Sequence, residues 1–97
     1  MSITIVSKIM CQPGKDNEMV VALKAMQKAV SENEPGTTFF LIHKARKDAL
    51  AYYIVEQYEN EEAGEAHGES AAFAASVELL LSVAAGPAEH CSMDLIE

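Results

Sequence analysis

The segments ITIVSKIM, TTFFLIHK and AYYIV carry apolar side chains on both alternating sets of positions. Successive side chains of a β-strand point to opposite faces, so a strand with one wet face alternates apolar and polar residues. These segments do not alternate. Ile3, Ile5 and Ile9 oppose Val6 and Met10; Phe39 and Leu41 oppose Phe40 and Ile42; Tyr53 and Val55 oppose Tyr52 and Ile54. A sheet built from them needs cover on both sides.

The remaining segments supply cover for one side. Residues 15–31 place apolar side chains at Met19, Leu23, Met26 and Val30, the spacing of a helix facing a core. Asp16 or Asn17 stands where it can cap that helix. Residues 3–11, 37–44 and 49–58 read as strands, the last two joined as a hairpin across a short polar gap. Asn60 reads as an N-cap, with Glu61 and Glu62 in the first turn. Gly64 and Gly68 each weaken a helix by about 1 kcal/mol relative to Ala. The expectation is a short helix to about His67, a bend, then a longer helix from about Ser70 with Phe73, Val77 and Leu80 inward. Gly86 and Pro87 stop it, and residues 89–96 form a last strand.

The order β-α-β-β-α-β is that of a ferredoxin-like α+β fold: a four-stranded antiparallel sheet with two helices on one face. A single domain over residues 1–97 is expected. Its bare face exceeds the few hundred Å² of apolar patch that monomers tolerate, so a second copy packed sheet to sheet is the expected cover. The first and last strands are antiparallel neighbours in this order. Cys11 closes one and Cys91 opens the other, so the two are expected close in space without a disulfide.

A formal net charge of −8 weighs against nucleic-acid and anionic-membrane partners, which need clustered Lys and Arg. No apolar run approaches the roughly 20 residues of a membrane span. The N-terminus lacks a signal-peptide layout, which points to a cytoplasmic protein.

Four motifs follow one another at family spacing: Pro13-Gly14-Lys15, Glu34-Pro35-Gly36-Thr37, Val55-Glu56-Gln57-Tyr58, and the run His67, Ser70, Phe73. Together they resemble the antibiotic biosynthesis monooxygenase (ABM) family of dimeric α/β-barrel proteins, over nearly the whole chain. The resemblance implies that fold, a homodimer, and a pocket for a small aromatic molecule. Members of the family include cofactor-independent monooxygenases of quinols and anthrones, haem-degrading proteins and a signal-processing branch. The haem branch carries an Asn, a Trp and an axial His that fall on Lys8, Tyr58 and about Val77; valine cannot ligate iron. The resemblance therefore implies no cofactor. Quinol-type members often have a second histidine where this chain has Ala72.

Cofactor-free oxygenation needs a base to make an electron-rich anion, and histidine titrates in the right range. On this resemblance His67 is the candidate base. Tyr52, Glu56 and Tyr58 share one parity of the third strand and, with Phe73, are candidate pocket residues. Lys8, placed by the family alignment, is expected to pair with Glu56 inside the pocket. The bland alternative makes His67 a solvated histidine among Glu62, Glu65 and Glu69. His43 reads as structural or dimer-facing, and His90 as a surface residue. The acidic run from Glu59 to Glu69 has no Cys or multi-His set for a metal, and reads as a solvated face. Two other activities stay open: a non-enzymatic ligand-binding or stress-associated dimer, and an isomerase of a small carbonyl compound.

Overall fold

A computed structural model describes residues 2–69 and 71–97. Strand β1 (Ile3–Met10) leads to helix α1 (Asp16–Asn33), then to strands β2 (Thr37–Lys44) and β3 (Ala51–Tyr58). Helices α2 (Glu61–Glu69) and α3 (Ala71–Leu81) follow, and strand β4 (Glu89–Asp94) closes the chain. The sheet order is β2-β3-β1-β4, antiparallel throughout. This is the expected ferredoxin-like α+β arrangement. Ser70 lies outside the described residues, so its place in the His67–Phe73 run is not described.

Strand register decides which side chains meet the helices. Ile5 stands opposite Glu56, Ser7 opposite Ile54 and Ile9 opposite Tyr52; Phe40 stands opposite Glu56 from the other side. These positions share the helix-covered face, where Ile9, Phe40, Tyr52 and Ile54 pack with Met19, Leu23, Met26 and Val30 of α1. Fully burying each such side chain contributes about 1.5–3 kcal/mol. Phe39, Leu41, Tyr53, Val55 and Val6 fall on the reverse face. No described element covers that face, and Leu41 is 48% exposed. No helix among the described residues is long and apolar enough to cross a membrane.

Three local expectations are corrected. Lys15, not Asp16 or Asn17, occupies the N-cap of α1, without a side-chain cap. The Asp16 carboxylate instead accepts hydrogen bonds from Tyr52 Oη (2.8 Å) and Lys44 Nζ (3.1 Å). Lys8 stands opposite Tyr53, on the reverse face from Glu56, so the two do not share a pocket. The cysteines also separate. Ala84 bridges Cys11, and Ala85 N–H donates to Met10 O, so the chain leaving α3 occupies the end of β1 before β4 begins. Cys91 therefore pairs opposite Val6, five residues before Cys11, or about 16 Å of strand. The β1–β4 neighbourhood holds; only its stagger differs.

Candidate active site

Period-two alternation places Glu56 and Tyr58 side by side on the helix-covered face of β3. Tyr58 Oη donates to Glu56 Oε2 at 2.6 Å. Beyond Tyr58 the chain turns into α2, capped as expected by Asn60, whose Oδ1 accepts from Ala63 N–H at 2.9 Å. One turn on from Ala63, His67 points inward and is only 8% exposed.

Two glycines allow α2 to lie close. A Cβ on Gly36 would stand 2.7 Å from Ala63 Cβ, well inside contact distance. Gly64 lies against the Tyr58 ring. Gly36 belongs to the tight connection from α1 to β2, where Thr37 N–H donates to Glu34 O and Glu59 N–H to Gly36 O. The same connection turns the Glu34 side chain inward.

His67 sits between two carboxylates. Its Nδ1 is 2.5 Å from Glu34 Oε1, and its Nε2 is 3.7 Å from Glu56 Oε2. Thr37 Oγ1 donates to Glu34 Oε1 at 3.2 Å. The imidazole is walled by Phe73 (ring centroids 3.9 Å apart), Tyr58 (5.2 Å) and Phe40 (6.4 Å). Burial pushes the Glu56 carboxyl above its ordinary range, with Tyr58 and His67 pulling it partly back. Burial and the neighbouring Glu56 raise Tyr58, so its phenol stays protonated and donates. An imidazole between two carboxylates can take a proton at one nitrogen and release one at the other.

Of the residues singled out in the sequence, His67, Glu56, Tyr58 and Phe73 come together. Tyr52 shares their face but lies at the far end of β3, bonded to Asp16. Lys8 is on the reverse face. The acidic helix start does not make His67 a solvated residue: Glu61, Glu62 and Glu65 are exposed while His67 turns in. His90 is exposed as read, yet its Nδ1 lies 2.7 Å from the buried Ser7 Oγ. Glu34 is the member that sequence reasoning missed. A signal existed: a carboxylate at a helix C-terminus opposes the macrodipole and calls for a specific partner. Among the described residues, no group of three His, Cys, Asp or Glu side chains is arranged to hold a metal ion.

Two hollows flank the cluster. A groove of about 580 Å³ between α1 and β2 is lined by Lys24, Gln27, Lys28, Glu34, Thr37 and Phe40, among others. A cleft of about 480 Å³ beneath α2 has Ile3, Ile5, Tyr58 and Gly64 in its walls.

Residues 2–79 match the family model described as antibiotic biosynthesis monooxygenase. The chain belongs to that family. Among solved structures, an ABM candidate from Caulobacter crescentus superposes with a TM-score of 0.94 at 24% identity, covering 99% of this chain and 91% of that one. SnoaB, a cofactor-independent oxygenase from Streptomyces nogalater in a mutant form, gives 0.87 at 14%, covering 99% and 94%. Rv0793 from Mycobacterium tuberculosis gives 0.87 at 14%, covering 100% and 97%. At these identities the likeness is one of fold. No curated protein matches the chain significantly in sequence. ABM membership accounts for the arrangement of the sheet and helices; the chemistry has to be argued from the site.

Proposed function

We propose that the chain is a cofactor-independent monooxygenase that oxidises a small quinol- or anthrone-like aromatic with dioxygen, with His67 as the proton acceptor. The observation that carries this reading is the buried imidazole held between Glu34 and Glu56 inside an aromatic wall. Such a setting takes a proton from a phenolic group while excluding water. The anion then gives an electron to dioxygen. For an anthrone, one oxygen atom becomes the new ketone and the other leaves as water with both methylene hydrogens. The substrate supplies every electron. Tyr58 donates its phenolic hydrogen bond to Glu56 and so holds that carboxylate in place beside His67. The oxygenase name of a structural neighbour at 14% identity agrees with this chemistry in that protein.

The working unit in this proposal is a homodimer joined through the reverse sheet face. Members of the family are typically dimeric, and the face bearing Phe39, Leu41, Tyr53 and Val55 has no cover among the described residues. The activity is tested by oxygen consumption with a panel of quinols and anthrones. Uptake by the wild type and its loss in His67→Ala are expected. Equal uptake by both proteins overturns the assignment of the base, and ligand binding without uptake overturns the activity.

A further inference from the structure

We propose that the groove between α1 and β2 binds a phenolic acid, with its hydroxyl on Glu34 Oε2 and its carboxylate at Lys24 and Lys28. This deepens, and rests on, the reading of the chain as a phenol-oxidising enzyme. Three observations converge on the groove. Glu34 is buried, and its Oε2 has no hydrogen-bond partner among the described residues; both recorded bonds fall on Oε1. A buried carboxylate oxygen without a donor is costly, and a ligand hydroxyl supplies one. The same residue lines the groove, whose apolar walls include Val30, Pro35 and Phe40. Such walls accept an aromatic ring.

The other end of the groove is cationic, in a chain of net charge −8. Lys24 and Lys28 are one helical turn apart on α1, and both line it. No salt bridge among the described residues involves Lys24. Lys28 meets only Glu32, at 3.9 Å and with both side chains well exposed, a pairing of little strength. Gln27 is already committed to the Phe40 carbonyl at 2.8 Å, so it helps shape the wall. Lys28 precedes Glu34 by six residues, or about 9 Å of helix rise. Flexible lysine stems reach along apolar surface towards a ligand lying between them. A ring with a hydroxyl at one end and a short acidic side chain at the other fits that polarity. Its phenolic hydroxyl donates a hydrogen bond to Glu34 Oε2, whose other oxygen already meets His67.

The probe is 4-hydroxycinnamate, compared with cinnamate, which lacks the hydroxyl, and 4-ethylphenol, which lacks the acid. Calorimetry and amide NMR follow binding, so the result does not depend on turnover. The hydroxy acid should bind at least tenfold tighter than either comparator, with shifts concentrated at residues 24–31 and 37–41. The double variant Lys24→Ala/Lys28→Ala, at exposed positions, should weaken it at least fivefold and leave 4-ethylphenol unchanged. Glu34→Gln should reduce the preference for the hydroxyl. Equal affinity for all three compounds, or shifts centred on Ile3, Ile5 and Gly64, overturns the proposal. Binding as expected without oxygen uptake from any phenol upholds the groove and removes the activity. Turnover of neutral quinols by the wild type, with no tighter binding of the hydroxy acid than of 4-ethylphenol, upholds the activity and removes the groove.

Discussion

Glu34, just past the end of α1, and His67, in the last turn of α2, share a buried hydrogen bond of 2.5 Å. That contact ties the end of α1 to α2 and sets the imidazole against Glu56. Removing one partner of a buried hydrogen bond to a carboxylate costs more than the contact contributes, because the carboxylate is left without compensation. His67→Ala is therefore expected to lower stability by about 3–5 kcal/mol. His67→Gln, which keeps a polar head, should cost less. Urea unfolding measures both. Equal losses would mean that the polar contact is immaterial.

Tyr58→Phe isolates the next bond. It keeps the ring against His67 and Gly64 but removes the donor to Glu56 Oε2. An unpaired buried acceptor costs about 1–3 kcal/mol. The Glu56 carboxyl should titrate still higher, since the Tyr58 hydroxyl is the largest influence lowering it. Carbon-13 NMR of the carboxyl reads the shift directly; a fall instead of a rise contradicts the arrangement.

Two carboxylates should act on stability with opposite signs. Glu56 has a raised folded-state pKa, burial being the chief cause. Its stabilisation is complete below the usual 4.5 and is lost as pH rises through the folded value. Asp16 is lowered, first by the Tyr52 hydrogen bond and then by Lys44. Its stabilisation is present above the usual 3.8 and is lost as pH falls through the folded value. Denaturation midpoints across the acid-to-neutral range should lose the rising-pH penalty in Glu56→Gln and part of the acid limb in Asp16→Asn. Exchange of these two effects would contradict the burial of Glu56.

Gly36→Ala tests the close approach of α2. The added methyl would meet Ala63 Cβ at 2.7 Å, so the helix must shift. Overpacking of this kind costs about 1–3 kcal/mol. Because α2 carries His67, oxygen uptake should fall as well. Unchanged stability would show that the connection yields freely.

Leu41→Glu tests the reverse face of the sheet. Leu41 pairs opposite Val55 there and is largely exposed. Light scattering should give a mass of two 10.5 kDa chains for the wild type and of one for the variant. A wild-type protomer that stays single at micromolar concentration removes the dimer from the account.

Much of this molecule can be read from residue order, because its signals are local and agree. The repeat of Met19, Leu23, Met26 and Val30 marks α1, and Asn60 followed by Glu61 and Glu62 marks the start of α2. The place of Lys8 follows strand parity and not the family alignment: Ile5 and Ile9 fix the covered face, and Lys8 alternates with them. The stagger of β4 was illegible because it depends on Ala84 and Ala85 occupying the end of β1. The partner of Glu34 is not legible for a related reason: it lies 33 residues away, beyond the reach of any local pattern.

The most direct test of the central claim uses oxygen-18 gas with an anthrone that the protein consumes. The account predicts one labelled atom in each product molecule, the other recovered in water, and formation slowed roughly 10²–10⁴-fold in His67→Ala. Product made at the same rate under nitrogen, or carrying no label from the gas, would contradict it.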